Sequence, residues 1–555
     1  MKRKLLSILL LLFAGTTHAQ PWAQLVKDAC PGSCGSQSIS YYTLNNKIYF
    51  RGSDTVHGDE LWVTDGTASG TNMLKDLTPA TGESSDIGPF TECNNKLYFT
   101  GRLTGSGSPF GVYVTDGTTT GSFSLTNVEN YGFFVPYNNE MYFGGSDLSK
   151  STLFKTDGTT AGTLPLYVNP IPGVTRIDYN IVYNGKLFLG LVIGDEAGLF
   201  TTDGTTPGTH MVLDAGLISS INILNGKMYF FARTAANAIK LYESDGTTSG
   251  THELSQNDIL FSDLYVNNNK LYFVAASANA ATELWVSDGT QAGTQAIKQI
   301  ACNNTDHLYF LNNKVIIPCG RNLLVSDGTT QGTYTIPVAA DVSNQVFIRN
   351  NKLYATTFYR FGYKIFVSDG TMAGTHYLDT SVIAQNHYTD EHTFITFNNK
   401  TYFEGIEVVQ GTTRPLPGRH MLCYIDDNDK IQRVAPAITT AETQFSYAIL
   451  DNSLYIAAND SLSGIELWKI TDFPTGINEA TAAKENIIYP NPATNTFSIK
   501  NNSNNTTVRL LSITGQLLLQ TQQTTNIDIA HIPTGIYQVQ LISDGQTHMQ
   551  KLIKE

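Results

Sequence analysis

One phrase recurs eight times along this 555-residue chain: a mostly apolar pair, Thr or Ser, Asp-Gly-Thr, two variable residues, Gly, and Thr or Ser. Its aspartates are Asp65, Asp116, Asp157, Asp203, Asp245, Asp288, Asp327 and Asp369, separated by 51, 41, 46, 42, 43, 39 and 42 residues. A period of roughly 20–50 residues means one supersecondary unit stacked many times. Asp can accept hydrogen bonds from the backbone two residues on, and the Gly beside it takes a left-handed conformation. The eight aspartates therefore read as turn-makers, not as a multiplied active site.

A second signature precedes each of these turns. It reads Asn-Asn-Lys-apolar-Tyr-Phe with variations, and it occurs ten times: at 45–50, 94–99, 138–143, 184–189, 225–230, 268–273, 312–317, 350–355, 398–403 and 451–456. Asn-Asn and Asn-Gly tolerate positive φ and suit tight hairpins. Each unit then divides into four strands, with Asp-Gly-Thr joining the third to the fourth. Leu422 to Asp427 stands in for the ninth turn and Glu466 to Asp472 for the tenth. In Leu61-Trp62-Val63 and Leu97-Tyr98-Phe99 successive residues are large and apolar. Since alternate residues face opposite sides of a sheet, both faces must be covered. Four-stranded sheets packed radially have this property, so the expected class is all-β: a multi-bladed β-propeller of about ten four-stranded repeats followed by a small Ig-like β-sandwich. Leu25-Val26-Lys27-Asp28 resembles the fourth strand Met73-Leu74-Lys75-Asp76, and the tenth unit lacks a fourth strand of its own. An N-terminal strand closing one ring explains both and leaves no open edge. Two smaller rings are the alternative.

Composition narrows the partners. Charged residues are 15% of the chain, aromatics 11%, and the formal net charge is −13 without a long basic run, which disfavours nucleic acid and anionic membranes. Lys2, Arg3 and Lys4 followed by an apolar stretch to Ala14 read as a secretory signal (1–19) cleaved after Ala19. No later stretch is long and apolar enough to cross a membrane as a helix. Export permits disulfides, and Cys30 with Cys34 is the best local pair among Cys30, Cys34, Cys93, Cys302, Cys319 and Cys423.

The repeats (20–475) give way to a linker (476–484) and a terminal module (485–555) with alternating strand patterns. Ile488-Tyr489-Pro490-Asn491-Pro492-Ala493, Leu511 to Gly515, Ile532-Pro533-Thr534-Gly535-Ile536-Tyr537 and Lys551-Leu552-Ile553-Lys554 succeed one another in order. In these motifs the module resembles the type A C-terminal sorting domain of the type IX secretion system. The resemblance implies a Gram-negative bacterium, Sec export to the periplasm, passage of the outer membrane, and removal of the domain by a sortase-like protease, with surface attachment or release. It assigns the sorting signal to Pro490, Asn491, Pro492, Gly515, Gly535, Tyr537, Lys551 and Lys554. The repeats resemble the bacterial family named for Glu-Leu-Trp-x-x-Asp-Gly-Thr. Glu60 to Thr67 and Glu283 to Thr290 match it in full, and the other six copies keep Asp-Gly-Thr. That family implies a repeat fold and no particular chemistry.

No nucleophile elbow, zinc-protease helix, phosphate loop or dinucleotide fingerprint is present. His57-Gly58-Asp59-Glu60 is read as structural, because Glu60, Glu283 and Glu466 occupy one repeat position. Asp426-Asp427-Asn428-Asp429 is the densest acidic run, but it lacks the spaced ligands of a calcium loop and reads as a degenerate turn. His387 and His392, with Tyr388, Asp390 and Glu391, are the other weak metal candidates. No catalytic residue and no cofactor are expected, with calcium as the alternative. The leading expectation is a secreted, cell-surface, non-catalytic scaffold binding glycans or proteins for adhesion. A propeller-type glycan hydrolase or lyase and a purely structural surface component are the alternatives.

Overall fold

The computed structural model describes residues 21–554 except 31–38, 55, 80–81, 106, 127, 131–132, 147–148, 255–262, 277–281, 301–306, 360–361, 379–381, 385–393, 409–414, 435–437, 441–445, 460–463, 473–487, 501–505, 513–516 and 544–545. All the assigned elements are strands. Two compact units are present: Leu25–Arg433 with Thr439–Lys469, and Met1–Gln24 with Val434–Ile438 and Ile470–Glu555.

In the first unit seven successive four-stranded antiparallel meanders run from Ile39–Leu44 to Tyr334–Pro337. The second sheet, for example, is Thr91–Cys93, Lys96–Arg102, Phe110–Thr115 and Phe123–Thr126. The eighth and ninth repeats depart from the expectation of separate sheets. Val382–Ala384 pairs with Gly362–Ser368 through Tyr363 and with Lys400–Val408, so the two repeats form one nine-stranded sheet. Their fourth-strand position is split: the two-residue strand His376–Tyr377 pairs first, and the chain then returns as Val382–Ala384 and bridges to the next repeat. The last sheet has five strands, and Pro21–Lys27 lies beside Ile465–Asp472 in it.

Neighbouring sheets share apolar clusters. Tyr49 packs with Phe90, Phe99 and Tyr113 of the second sheet, whereas Ile48 and Phe50 of the same strand pack with Tyr455 and Leu467 of the last. The same alternation joins second to third through Tyr98 and Phe143, and seventh to eighth through Ile316 and Leu353. The doubly covered faces read from the sequence are thus present, each cluster serving two sheets.

The Asp-Gly-Thr turn explains its own spelling. In all eight copies the Asp Oδ1 accepts the N–H of the Thr two residues on at 2.8–2.9 Å and its hydroxyl at 2.7 Å. That Thr hydroxyl accepts the N–H of the following Gly, as in Gly121 to Thr118 at 3.0 Å. The closing Ser or Thr donates to the Thr carbonyl and meets the hydroxyl that precedes the Asp, as Ser122 does with Thr115 at 2.7 Å. A Cβ on Gly121 would lie 2.0 Å from the Asp116 carboxylate. Gly117 has φ +89, and a Cβ there would lie 2.2 Å from the Tyr49 hydroxyl of the preceding sheet. The turn of one sheet therefore seats on the tyrosine of its neighbour. Gly158 meets Tyr98, Gly289 meets Tyr229 and Gly328 meets Tyr272 in the same way. A Cβ on Gly66 of the first sheet would lie 2.2 Å from the Tyr455 hydroxyl of the last.

A buried glutamate repeats this first-to-last correspondence. Glu60 accepts the Leu77 N–H at 2.7 Å and the Thr78 hydroxyl at 2.5 Å, just beyond the fourth strand Asn72–Lys75. Glu466, at the equivalent position, accepts the Ala29 and Cys30 N–H groups at 3.2 Å each. Residues 25–30 thus occupy in the last sheet the place that 73–78 occupy in the first. Cys30 and Cys319 each take part in a disulfide; Cys34 and Cys302 lie outside the described residues.

The second unit contains a three-stranded sheet (Ile488–Tyr489, Thr496–Ile499, Ile527–Asp528) and a four-stranded sheet (Leu517–Thr521, Thr507–Ser512, Gly535–Ser543, Gln546–Lys554). Ile488, Phe497 and Ile527 of one share a core with Val508, Leu510, Val539 and Leu552 of the other.

These contacts can be tested by substitution. Gly226→Ala, where φ is +75 and no atom lies within 4 Å, will cost about 1–2 kcal/mol for the left-handed backbone alone. Gly117→Ala will cost more in denaturant titration, and Tyr49→Phe will recover part of the excess; equal costs would remove the intersheet contact from the account. Glu466→Ala will destabilise by about 1–3 kcal/mol, the penalty for stranding buried N–H groups, and an unchanged unfolding midpoint would mean that residues 25–30 do not hold the last sheet. The carboxyls of Asp65, Asp116 and Asp157 are held below the usual range, first by the Thr hydroxyl and then by smaller backbone effects. A folded value below the unfolded one contributes stability above about pH 4 that is lost as pH falls through the folded value. Thr118→Val will reduce that acid-dependent loss, read as unfolding midpoint against pH.

Candidate functional site

The structure disperses most of the residues singled out from the sequence. Asp65, Asp116, Asp157, Asp203, Asp245, Asp288, Asp327 and Asp369 sit one per turn, each engaged by its own Thr. In His57-Gly58-Asp59-Glu60 the polar side chains have three different partners. His57 Nδ1 lies 2.8 Å from Asp54, Asp59 pairs with Arg51, and Glu60 is buried on Leu77 and Thr78. His387 and His392 lie outside the described residues, as does Ala19.

The acidic run at 426–429 stands where Asp-Gly-Thr stands elsewhere. Asp426 Oδ1 accepts the Asn428 and Lys430 N–H groups at 2.9 Å each, and Asp427 is exposed. Asp429, at φ +59, is bonded by Lys352 and by the Tyr354 hydroxyl of the preceding repeat. This repeats the seating of turn on tyrosine, with a carboxylate in the glycine's place. Burial pushes the Asp429 carboxyl up, but Lys352 and Tyr354 bring it below its ordinary value. Among the described residues no three His, Cys, Asp or Glu side chains converge as metal ligands would.

A groove of about 380 Å³ opens where the first hairpins of the second and third sheets stand side by side. Its lining is Tyr42, Glu92, Cys93, Asn94, Pro136, Tyr137, Asn138 and Asn139. The Asn pairs are there because the hairpin turns need positive φ, at 49° for Asn94, 49° for Asn138 and 63° for Asn139, and this leaves their amides on the rim. Tyr137 is buried and donates its hydroxyl to the Gly185 carbonyl at 2.6 Å, which fixes the ring. Tyr42 donates to Glu92 at 3.2 Å. Burial and then the Glu92 charge push the Tyr42 hydroxyl above its ordinary value, so it remains a protonated donor at neutral pH. Burial, with the Glu92 and Glu140 charges, pushes the Cys93 thiol up as well, away from the reactive thiolate.

Glu92 is absent from the residues singled out by sequence, yet the sequence carries a signal for it. Each first strand places one residue opposite the apolar residue after the hairpin, as Glu92 faces Leu97 and Thr43 faces Ile48. The ten occupants of this position are Thr43, Glu92, Pro136, Val182, Ile223, Val266, Phe310, Ile348, Thr396 and Ile449. Glu92 is the one charged residue in the set. A break in a repeat at a fixed register is where a site specific to one repeat would show.

A second polar cluster lies at the first strands of the fifth to seventh repeats. Asp263 accepts the Ser220 hydroxyl at 2.9 Å and the Tyr265 hydroxyl at 3.1 Å, and lies 3.6 Å from His307 Nδ1. His307 draws its carboxyl down most strongly. The carboxylate is the shared partner here, whereas in a hydrolytic triad the imidazole stands between carboxylate and hydroxyl. The arrangement fastens adjacent strands.

In the terminal module Asn491 and Gly535 meet the last strand. Asn491 Oδ1 accepts the Ile553 N–H at 2.8 Å and its amide donates to the Lys551 carbonyl at 2.6 Å, between Pro490 and Pro492. The Tyr537 hydroxyl donates to the Pro533 carbonyl at 2.6 Å. Gly535 pairs with Lys554, which is buried, while Lys551 is exposed; Gly515 lies outside the described residues.

Comparison with known proteins adds identity at this end of the chain. No curated protein matches the sequence. Similar solved structures include a puromycin hydrolase (12% identity, 67% of this chain and 58% of that one, TM-score 0.30). A puromycin-hydrolyzing peptidase of Mycobacterium tuberculosis is another (10%, 61% and 58%, TM-score 0.31). PorZ, a surface component of the type IX secretion system of Porphyromonas gingivalis, is a third (11%, 97% and 100%, TM-score 0.19). The chain spans little more than half the length of the two hydrolases, and at such TM-scores none of these likenesses bears on function. No helix among the described residues is long and apolar enough to cross a membrane. Residues 487–555 match the family described as secretion system C-terminal sorting domain, and this marks the chain for type IX export to the cell surface or the extracellular space.

Proposed function

We propose that the chain is a cell-surface binding protein whose ten repeats close into a single propeller, carried outside by its terminal sorting domain. Ring closure is supported by the seating of Gly66 on Tyr455 and by the hold of Glu466 on Ala29 and Cys30, which repeat between last and first the contacts made between neighbours. The full run of ten Asn-turn hairpins agrees with membership of the Glu-Leu-Trp-x-x-Asp-Gly-Thr repeat family. The observation that carries the binding reading is the open groove at Tyr42, Glu92 and Tyr137, flanked by two tyrosines and edged by amides. Ligand sites combine such a wall with a few placed polar groups, and polyhydroxylated ligands such as glycans suit this mixture of amide, carboxylate and hydroxyl. The dominant chemistry of the repeats is turn formation, so recognition falls to positions where repeats differ.

Two measurements test the reading. Truncation after Thr481 will leave the protein in the periplasm of its host, and undiminished surface display would sink the sorting role. A glycan array probed with the exported protein will show discrete saccharide binding; a blank array would sink the glycan-binding reading and favour a purely structural surface component.

A further inference from the structure

We propose that the groove selects saccharides carrying a protonated amine, with Glu92 as the recognition residue. This rests on the binding reading above and adds to it the class of ligand. Glu92 is exposed at a register position where the nine other repeats carry Thr or an apolar residue. Its carboxylate is oriented by the Tyr42 hydroxyl, and no ion pair neutralises it among the described residues. The groove is lined by no Lys or Arg. A carboxylate standing exposed in an open groove without a counter-ion favours a ligand that brings the positive charge. The rest of the lining specifies the body of that ligand. Asn94, Asn138 and Asn139 offer amide donors and acceptors along one edge, suited to ring hydroxyls, and Tyr137 is fixed beneath them as an apolar wall. The volume, about 380 Å³, lies toward the small end of ligand pockets of roughly 300–1,000 Å³ and suits one or two sugar rings. Uronic and sialic acids would set a second negative charge against Glu92, on a chain whose formal net charge is −13.

Isothermal titration of the full exported chain with glucosamine oligomers, N-acetylglucosamine oligomers, galacturonate oligomers and a lysine peptide tests this. Glucosamine oligomers will bind best, and Glu92→Gln, which keeps the shape of the groove, will weaken them about ten- to hundred-fold, as expected for loss of one charge-assisted hydrogen bond. The same variant will leave the unfolding midpoint unchanged and will weaken N-acetylglucosamine binding much less than glucosamine binding. Tyr42→Phe will weaken binding less. Equal affinity of Glu92→Gln and the parent for glucosamine oligomers would overturn the proposal while leaving the protein a glycan binder. Preference for galacturonate would overturn it too, and so would Glu92-dependent binding of the lysine peptide alone. Absence of all saccharide binding would sink both this proposal and the reading on which it rests.

Discussion

A sheet with two apolar faces cannot stand in water, and every repeat of this chain makes such a sheet. Burial of an apolar side chain is favourable by about 1.5–3 kcal/mol, so each sheet needs a neighbour on either side. The tyrosine of the Asn-turn hairpin meets this need twice over. Its ring enters the shared core, and its hydroxyl abuts the glycine of the next sheet's Asp-Gly-Thr turn, as Tyr49 does at Gly117. Apolar packing is non-directional; the seating of hydroxyl against turn gives it a register. Where the turn is lost, at Asp426 to Asp429, a hydrogen bond from Tyr354 to Asp429 keeps the relation.

Much of this is legible in the sequence because it is local and repeated. Asp, Gly, Thr, Gly and the closing hydroxyl each have a contact that another residue type would break, and the chemistry of a seven-residue turn can be read without knowing the rest of the fold. Repetition alone marks Glu60 as structural, although nothing in the sequence names its partners, Leu77 and Thr78. The joining of the eighth and ninth repeats is not legible. It depends on Val382–Ala384, three residues with no periodic signature, finding edges on two sides. The acidic and histidine-bearing runs draw the eye away from the groove. Clusters along the sequence advertise themselves, but Tyr42, Glu92 and Asn138 are brought together by sheets roughly one period apart, and only the departure of Glu92 from its register hints at it.

Structure and specificity are thus kept apart within each repeat. The third and fourth strands and their turn are committed to holding neighbours together, with the turn's Asp, Thr and closing hydroxyl all hydrogen-bonded. The first strand and its Asn turn have freedom: the residue opposite the hairpin's apolar position varies from Thr to Glu to Ile at constant backbone geometry. Divergence there changes the surface without disturbing the stack.

The hold of Glu466 on Ala29 and Cys30 has a kinetic side. Most contacts in the array span one repeat and can form as the chain emerges, but this one joins residues 437 and 436 positions apart in sequence. Contacts of such separation carry the largest loop-closure cost and form late. The strand that leads into it, Pro21–Lys27, stands ahead of the first repeat. The last repeat must therefore find the strand that precedes the first. Until it does, the last sheet keeps a bare edge, and an unpaired edge is a template for aggregation.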